Sequence, residues 1–148
     1  MAPDGEARQY RRMPFKLLIV DDSELVRTSL RKHITYATEV VALIREVCTL
    51  GDALIDAKHH PPTLVILDLQ LSDGFGMHLI QPLKALAPAS RIAILTSHGD
   101  PEIRACCLAL GADWFFDKAT EISALMDVVR QLASSSAMNS RNPDNRHE

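Results

Sequence analysis

Asp21 and Asp22 end the apolar run "FKLLIV", and Asp68 ends the run "TLVIL". Thr96 and Ser97 follow "IAIL", and Lys118 closes "GADWFFDK". Adjacent carboxylates repel, and partial burial strips their hydration, so an aspartate pair at the end of a buried segment calls for positive charge. Three carboxylates meeting at one edge would hold a hard divalent cation through oxygen ligands, and Mg²⁺ would keep several waters in an octahedral shell. A cation beside a lysine and a hydroxyl is how proteins neutralise charge spreading over a phosphoryl group during transfer. The chain has no Walker-type glycine-rich loop and no G-x-G-x-x-G to hold a nucleotide, so the phosphoryl group comes from another donor, with a carboxylate as its natural acceptor. Taken alone, an aspartate pair after a strand is a helix cap or turn roughly three times in four. Asp68, Thr96 and Lys118 at the matching positions of other runs reverse those odds.

These residues share an edge only if the runs that precede them lie side by side. Short β-prone runs alternate with segments of helical periodicity, the pattern of βα units building a parallel sheet. Strands are predicted over Lys16–Asp21, Glu39–Ile44, Thr63–Leu69, Arg91–Thr96 and Asp113–Asp117, several of them nearly continuous apolar runs suited to burial on both faces. Each is followed by one apolar stripe at helical spacing: Val26, Leu30, Ile34; Leu50, Ala53, Leu54, Ala57; Leu79, Leu83, Leu86; Ile103, Cys106 or Cys107, Leu110; and Ile122, Leu125, Val129, Leu132. Asp100, Pro101 and Gly111 punctuate the fourth helix as cap, first residue and stop, and Thr120 is placed to cap the fifth. Pro82 falls inside the third pattern and predicts a kink or a delayed start. In an open α/β sheet the functional crevice lies outside the carboxyl ends of the strands, where the polar residues above stand.

The 148 residues, 47% hydrophobic, suffice for one domain, expected over 15–134 between flexible tails at 1–14 and 135–148. A net charge of -3 gives no general pull toward nucleic acid or anionic membrane. Cys48, Cys106 and Cys107 have no zinc or C-x-x-C spacing, and their odd number argues for a reducing, cytoplasmic setting. No run approaches the roughly 20 apolar residues of a membrane span, and neither end carries a signal-peptide core. His59 and His60 precede two prolines without a third ligand and read as a surface loop, as His33 and His78 read as helix surface.

The motifs "LLIVDDSELVR", "LVILDLQLSDGFG", "IAILTSH" and "GADWFFDK" together resemble the receiver domains of two-component response regulators, over roughly Phe15 to Ala133. The resemblance implies a flavodoxin-like (βα)5 fold, a doubly wound five-stranded parallel sheet of order 2-1-3-4-5. It implies Asp68 as phosphoacceptor, Asp22 as a direct Mg²⁺ ligand, Asp21 as an acidic partner acting through water, and the backbone carbonyl of Gln70 as a further ligand, with Mn²⁺ as an alternative ion. Thr96 and Lys118 match the hydroxyl and ammonium that engage the phosphoryl group, and Phe115 matches the switch aromatic. Gln70 and His98 match two variable positions that tune how long the phosphoryl group lasts.

The partners implied are a sensor histidine kinase or histidine phosphotransfer protein, and a downstream protein that reads the face formed by the fourth helix, fifth strand and fifth helix. Dimerisation on phosphorylation is compatible with this pattern, and direct nucleic-acid or membrane binding is not expected. The chemistry is that of a self-phosphorylating and self-dephosphorylating switch rather than a conventional enzyme. The chain departs from the family at Ala119, where proline usually follows the lysine, often in a cis bond, and at Ser72, where a proline is frequent. Three other readings stand beside the switch: the receiver part of a longer transcription factor, a phosphate-independent interaction module, and a haloacid-dehalogenase-type hydrolase. The last wants D-x-D after its first strand, where this chain has "VDDS".

Overall fold

Apolar runs of four to six residues fold here as strands that alternate side chains between two helical layers. The computed structural model describes residues 15–38, 42–97 and 99–141. One parallel sheet contains β1 (Phe15–Val20), β2 (Ala42–Val47), β3 (Leu64–Leu67), β4 (Arg91–Thr96) and β5 (Trp114–Asp117), in the spatial order β2-β1-β3-β4-β5. That is the doubly wound order 2-1-3-4-5. The connecting helices are α1 (Glu24–Ala37), α2 (Leu50–His59), α3 (Ile80–Leu86), α4 (Pro101–Leu110) and α5 (Ile122–Arg141).

The period of two along the strands divides the core. Leu17, Ile19, Leu64, Ile66, Ala93 and Leu95 pack with Leu30 and Ile34 of α1 and with Leu125 and Val129 of α5. Leu18, Val20, Val65, Leu67, Ile92 and Ile94 pack with Ala53 and Ala57 of α2, Ile80 and Leu83 of α3, and Cys107 of α4. Cys107 is thus the member of the cysteine pair that faces inward, and Cys106 is exposed.

Several element ends move from their predicted positions for physical reasons. β2 runs through Arg45 and Glu46 to Val47, later than predicted, because it is the edge strand: Arg45 pairs with Asp56 of α2, and Glu46 with Arg27 and Arg31 of α1. Glu39 to Val41 of that prediction lie outside the described residues, as do 1–14 and 142–148. The third helix starts late, as Pro82 requires: a 3-10 turn at Gly76–Leu79 precedes α3, and Pro82 falls in its first turn, where intrahelical donors are not needed. Asp100 caps α4 by accepting the Ile103 N–H at 3.1 Å, and Gly111 ends it with φ 118°. Thr120 does not cap the fifth helix, which begins at Ile122 and so leaves Glu121 at its entry. The same helix continues to Arg141 where a tail is predicted, since neither glycine nor proline interrupts it before Pro143 and helical hydrogen bonding needs only local backbone.

The turn after β3 carries the tightest local constraint. Gln70–Leu71 and Gly74–Phe75 form a two-residue antiparallel ladder, and the Gly76 N–H donates to the Leu69 carbonyl at 2.7 Å. A Cβ on Gly76 would lie 2.0 Å from the Asp68 carbonyl oxygen, so only glycine lets the chain return this closely over Asp68. Asp73 then accepts the Leu50 N–H at 2.9 Å, tying this turn to the start of α2 and supplying the order that a proline at 72 would have brought. Gly76→Ala is therefore expected to cost roughly 1–3 kcal/mol or more in a denaturant unfolding experiment, because backbone has to move to admit the methyl; an unchanged midpoint would refute the close approach.

Candidate functional site

The sheet ladder extends one residue past its strands at the points where the polar residues stand. The Asp21 N–H donates to the Val47 carbonyl at 3.2 Å, the Asp68 N–H to Val20 at 2.9 Å, and the Lys118 N–H to Thr96 at 3.0 Å. Each residue leaves the sheet with its backbone already bonded to a neighbouring strand, so the side chains start from defined positions.

Asp21 is 2% exposed and Asp68 7%, whereas Asp22 is exposed. One carboxylate oxygen from each of the three lies within 4.8 Å of the others. The Lys118 ammonium supplies the positive charge that this crowding demands, donating to Asp21 Oδ2 at 2.8 Å and to Asp68 Oδ2 at 3.1 Å. The other oxygen of Asp21 accepts the Ser23 N–H at 2.9 Å, and its carbonyl accepts from the Arg27 guanidinium at 2.6 Å. Ser23 also caps α1 by accepting the Val26 N–H. Asp21 is thus committed through both carboxylate oxygens, while Asp22 faces solvent.

Burial pushes the Asp68 carboxyl above the ordinary carboxylate range, and the charge of Asp21 adds to the rise, while Lys118 and the Gln70 backbone N–H oppose it. Burial by itself would lower the Lys118 ammonium, but its bonds to Asp21 and Asp68 outweigh that and raise it, so the lysine stays charged.

Thr96 is fully buried at the end of β4, and Gln70 is exposed two residues beyond Asp68. Phe115 is buried on the α2–α3–α4 side of the sheet, where its ring occupies the space into which a side chain on Gly99 would project. His98 lies outside the described residues. Among the described residues no peptide bond is cis, and the bond from Lys118 to Ala119 is trans. Three contributors escape a reading based on side-chain chemistry: Gly76 under Asp68, Arg27 on the Asp21 carbonyl, and Asp117, whose carboxylate accepts the Ala119 N–H at 2.7 Å. Only the last has a local signal, since aspartate often accepts a backbone N–H two residues on.

Three carboxylates converging within bonding reach of one ion, two of them buried, form a donor set of the kind a hard divalent cation takes. Among the described residues no helix is long and apolar enough to cross a membrane.

The chain's relatives share its family and fold. Residues 17–130 match the response regulator receiver domain. The response regulator protein VraR of Staphylococcus epidermidis is 29% identical over 119 residues, covering 80% of this chain and 56% of VraR, so the chain spans little more than half the length of that curated relative. A CheY-like receiver domain protein from Methanospirillum hungatei superposes with a TM-score of 0.74 at 20% identity, covering 84% of this chain and 97% of that one. A response regulator from Burkholderia pseudomallei, solved with a phosphorylated aspartic acid, calcium ion and citrate, superposes at 0.70 with 24% identity over 86% and 75% of the two chains. The family match covers Asp21, Asp22, Asp68, Thr96 and Lys118 with most of the sheet and its helices, and the chain belongs to the response regulator receiver domain family.

Proposed function

We propose that Asp68 accepts a phosphoryl group from a phosphohistidine of a sensor kinase or histidine phosphotransfer protein. The observation that carries this reading is the Lys118 ammonium 3.1 Å from Asp68 Oδ2, beside two further carboxylates. An Asp68 oxygen attacks phosphorus, the P–N bond breaks with its electron pair returning to the imidazole, and the new O–P bond is an acyl phosphate. Lys118 remains charged and within reach of the oxygens that gather negative charge. Thr96 supplies a hydroxyl at the neighbouring strand end. Asp21, Asp22, Asp68 and the backbone carbonyl of Gln70 would hold Mg²⁺, or Mn²⁺ in its place. A bound ion would offset the charge on the phosphoryl oxygens.

Phosphorylation adds charge beside Thr96 and Phe115, and repacking of these two residues carries the change to the face of α4, β5 and α5, where a downstream protein or a second copy reads it. Since Phe115 has no hydroxyl, its inward position rests on burial alone. Gln70 and His98 match the two family positions that tune how long the phosphoryl group lasts, and we assign them control of access for the attacking water.

A second reading follows from the length of VraR, of which this chain spans little more than half: the same switch working inside a longer regulator, one whose output part would bind DNA as in the DNA-binding response regulator of the LuxR family from Staphylococcus aureus. A reading frame continuing past residue 148 into a second domain would favour it, and a stop codon there would exclude it.

Incubation with Mg²⁺ and a small acyl-phosphate donor is expected to add roughly 80 Da to the intact chain, the mass of one transferred phosphoryl group. Asp68→Ala should abolish the adduct, and Lys118→Ala should slow its formation about a hundredfold. No adduct on the wild-type chain would defeat the acceptor reading. Substitution of Gln70 should change the decay of that adduct more than its formation; equal loss of both would remove its role in timing.

The raised Asp68 pKa means that the folded chain holds the neutral carboxyl more readily than the unfolded chain does. The stability linked to it is present at low pH and is lost as the pH rises through the raised value. In metal-free buffer Asp68→Asn should therefore unfold at higher denaturant than wild type near pH 7, with the gap closing as the pH falls to about 3, where aspartate is largely neutral in both states. A gap of constant size across that range would show that charge on Asp68 is not the cause.

A further inference from the structure

Lys118 has a flexible stem, and ordering it costs rotamer entropy, so its grip on Asp21 and Asp68 depends on how firmly its backbone is held. On the amino-terminal side the Lys118 N–H is bonded to Thr96. On the carboxyl side stands Ala119 in a trans bond, without the fixed dihedral a proline would impose. Ala119 instead has an N–H, which donates to Asp117 Oδ1 at 2.7 Å. Asp117 is itself held twice: its N–H donates to Glu121 Oε1 at 3.0 Å, and its carbonyl accepts the Glu121 N–H at 2.9 Å. The turn from β5 into α5 is thus closed around Lys118 by a carboxylate on each side, using a backbone donor that proline lacks.

We infer that Asp117 is a positioning residue for Lys118, acting through the Ala119 N–H, with Glu121 holding Asp117 in place. The inference rests on the proposed function of Lys118 only for its consequence in phosphoryl transfer; the placement of the ammonium is measurable without it. Asp117 accepts the bond through an oxygen, not through its charge, so Asp117→Asn retains the function and Asp117→Ala loses it.

The test uses the full chain and two readouts: the rate at which an amine-reactive ester modifies Lys118, followed by peptide mass spectrometry, and the rate of adduct formation from an acyl phosphate. Lys118, with its side chain 19% exposed between two carboxylates, is slow to react in the wild type. Asp117→Ala should speed its modification about fivefold, the weight of one ordinary hydrogen bond, and slow phosphorylation by a similar factor, while Asp117→Asn stays near wild type in both. In an Ala119→Pro background the change from Asp117 to Ala should have no further effect, because the donor is already gone. Equal Lys118 reactivity in wild type and Asp117→Ala, or equal defects in the Ala and Asn variants, would overturn the inference. If modification of Lys118 responds as expected but phosphorylation does not, the placement stands and the role of Lys118 in transfer falls.

Discussion

One ammonium, that of Lys118, lets two buried carboxylates from different strands stand side by side. Without it Asp21 and Asp68 would repel each other at low exposure, and the edge of the sheet would have to open or take up a proton. Burial still pushes the Asp68 carboxyl up, with Lys118 pulling the other way. A second positive charge at this edge, such as a divalent cation held by oxygen ligands, would offset more of that burial.

Everything that brings the three groups together belongs to the sheet. β1 lies between β2 and β3, so Asp21 and Asp68 emerge as neighbours, and β5 reaches them across β4. The ladder bonds beyond the strand ends fix where each residue departs. The loops then add local restraints: Ser23 on Asp21, Gly76 beneath Asp68, and Asp117 behind Lys118. The two apolar layers hold this edge firmly, since the inner residues of β1, β3 and β4 are packed from the α1–α5 side or the α2–α4 side.

Where proline is absent, the chain uses carboxylates as turn anchors. Ser72 stands in a loop that Asp73 ties to the start of α2, and Ala119 stands in a turn that Asp117 closes. Only the turn at Ala119 uses an N–H that a proline would lack, since Asp73 accepts from Leu50, but both exchange a covalent restraint for a hydrogen bond. Such turns are ordered in the folded state but gain less from pre-organisation of the unfolded chain.

The βα alternation, the residues of the acidic edge and their identity as chemical groups were legible in the sequence, because periodicity and side-chain type are local properties. So were the cap at Asp100 and the stop at Gly111, and at Pro82 the choice between a kink and a late start, which depend on backbone chemistry a few residues apart. The extent of β2 was not, because Arg45 and Glu46 look unlike strand residues until Asp56, Arg27 and Arg31 arrive from other elements. Nor was the bridge itself: one lysine serving two aspartates 97 and 50 positions away exists only once the strand order is set. The sequence determined which groups the edge would carry; the tertiary structure decided which of them touch, because contact between distant residues depends on strand order and packing that no local pattern encodes.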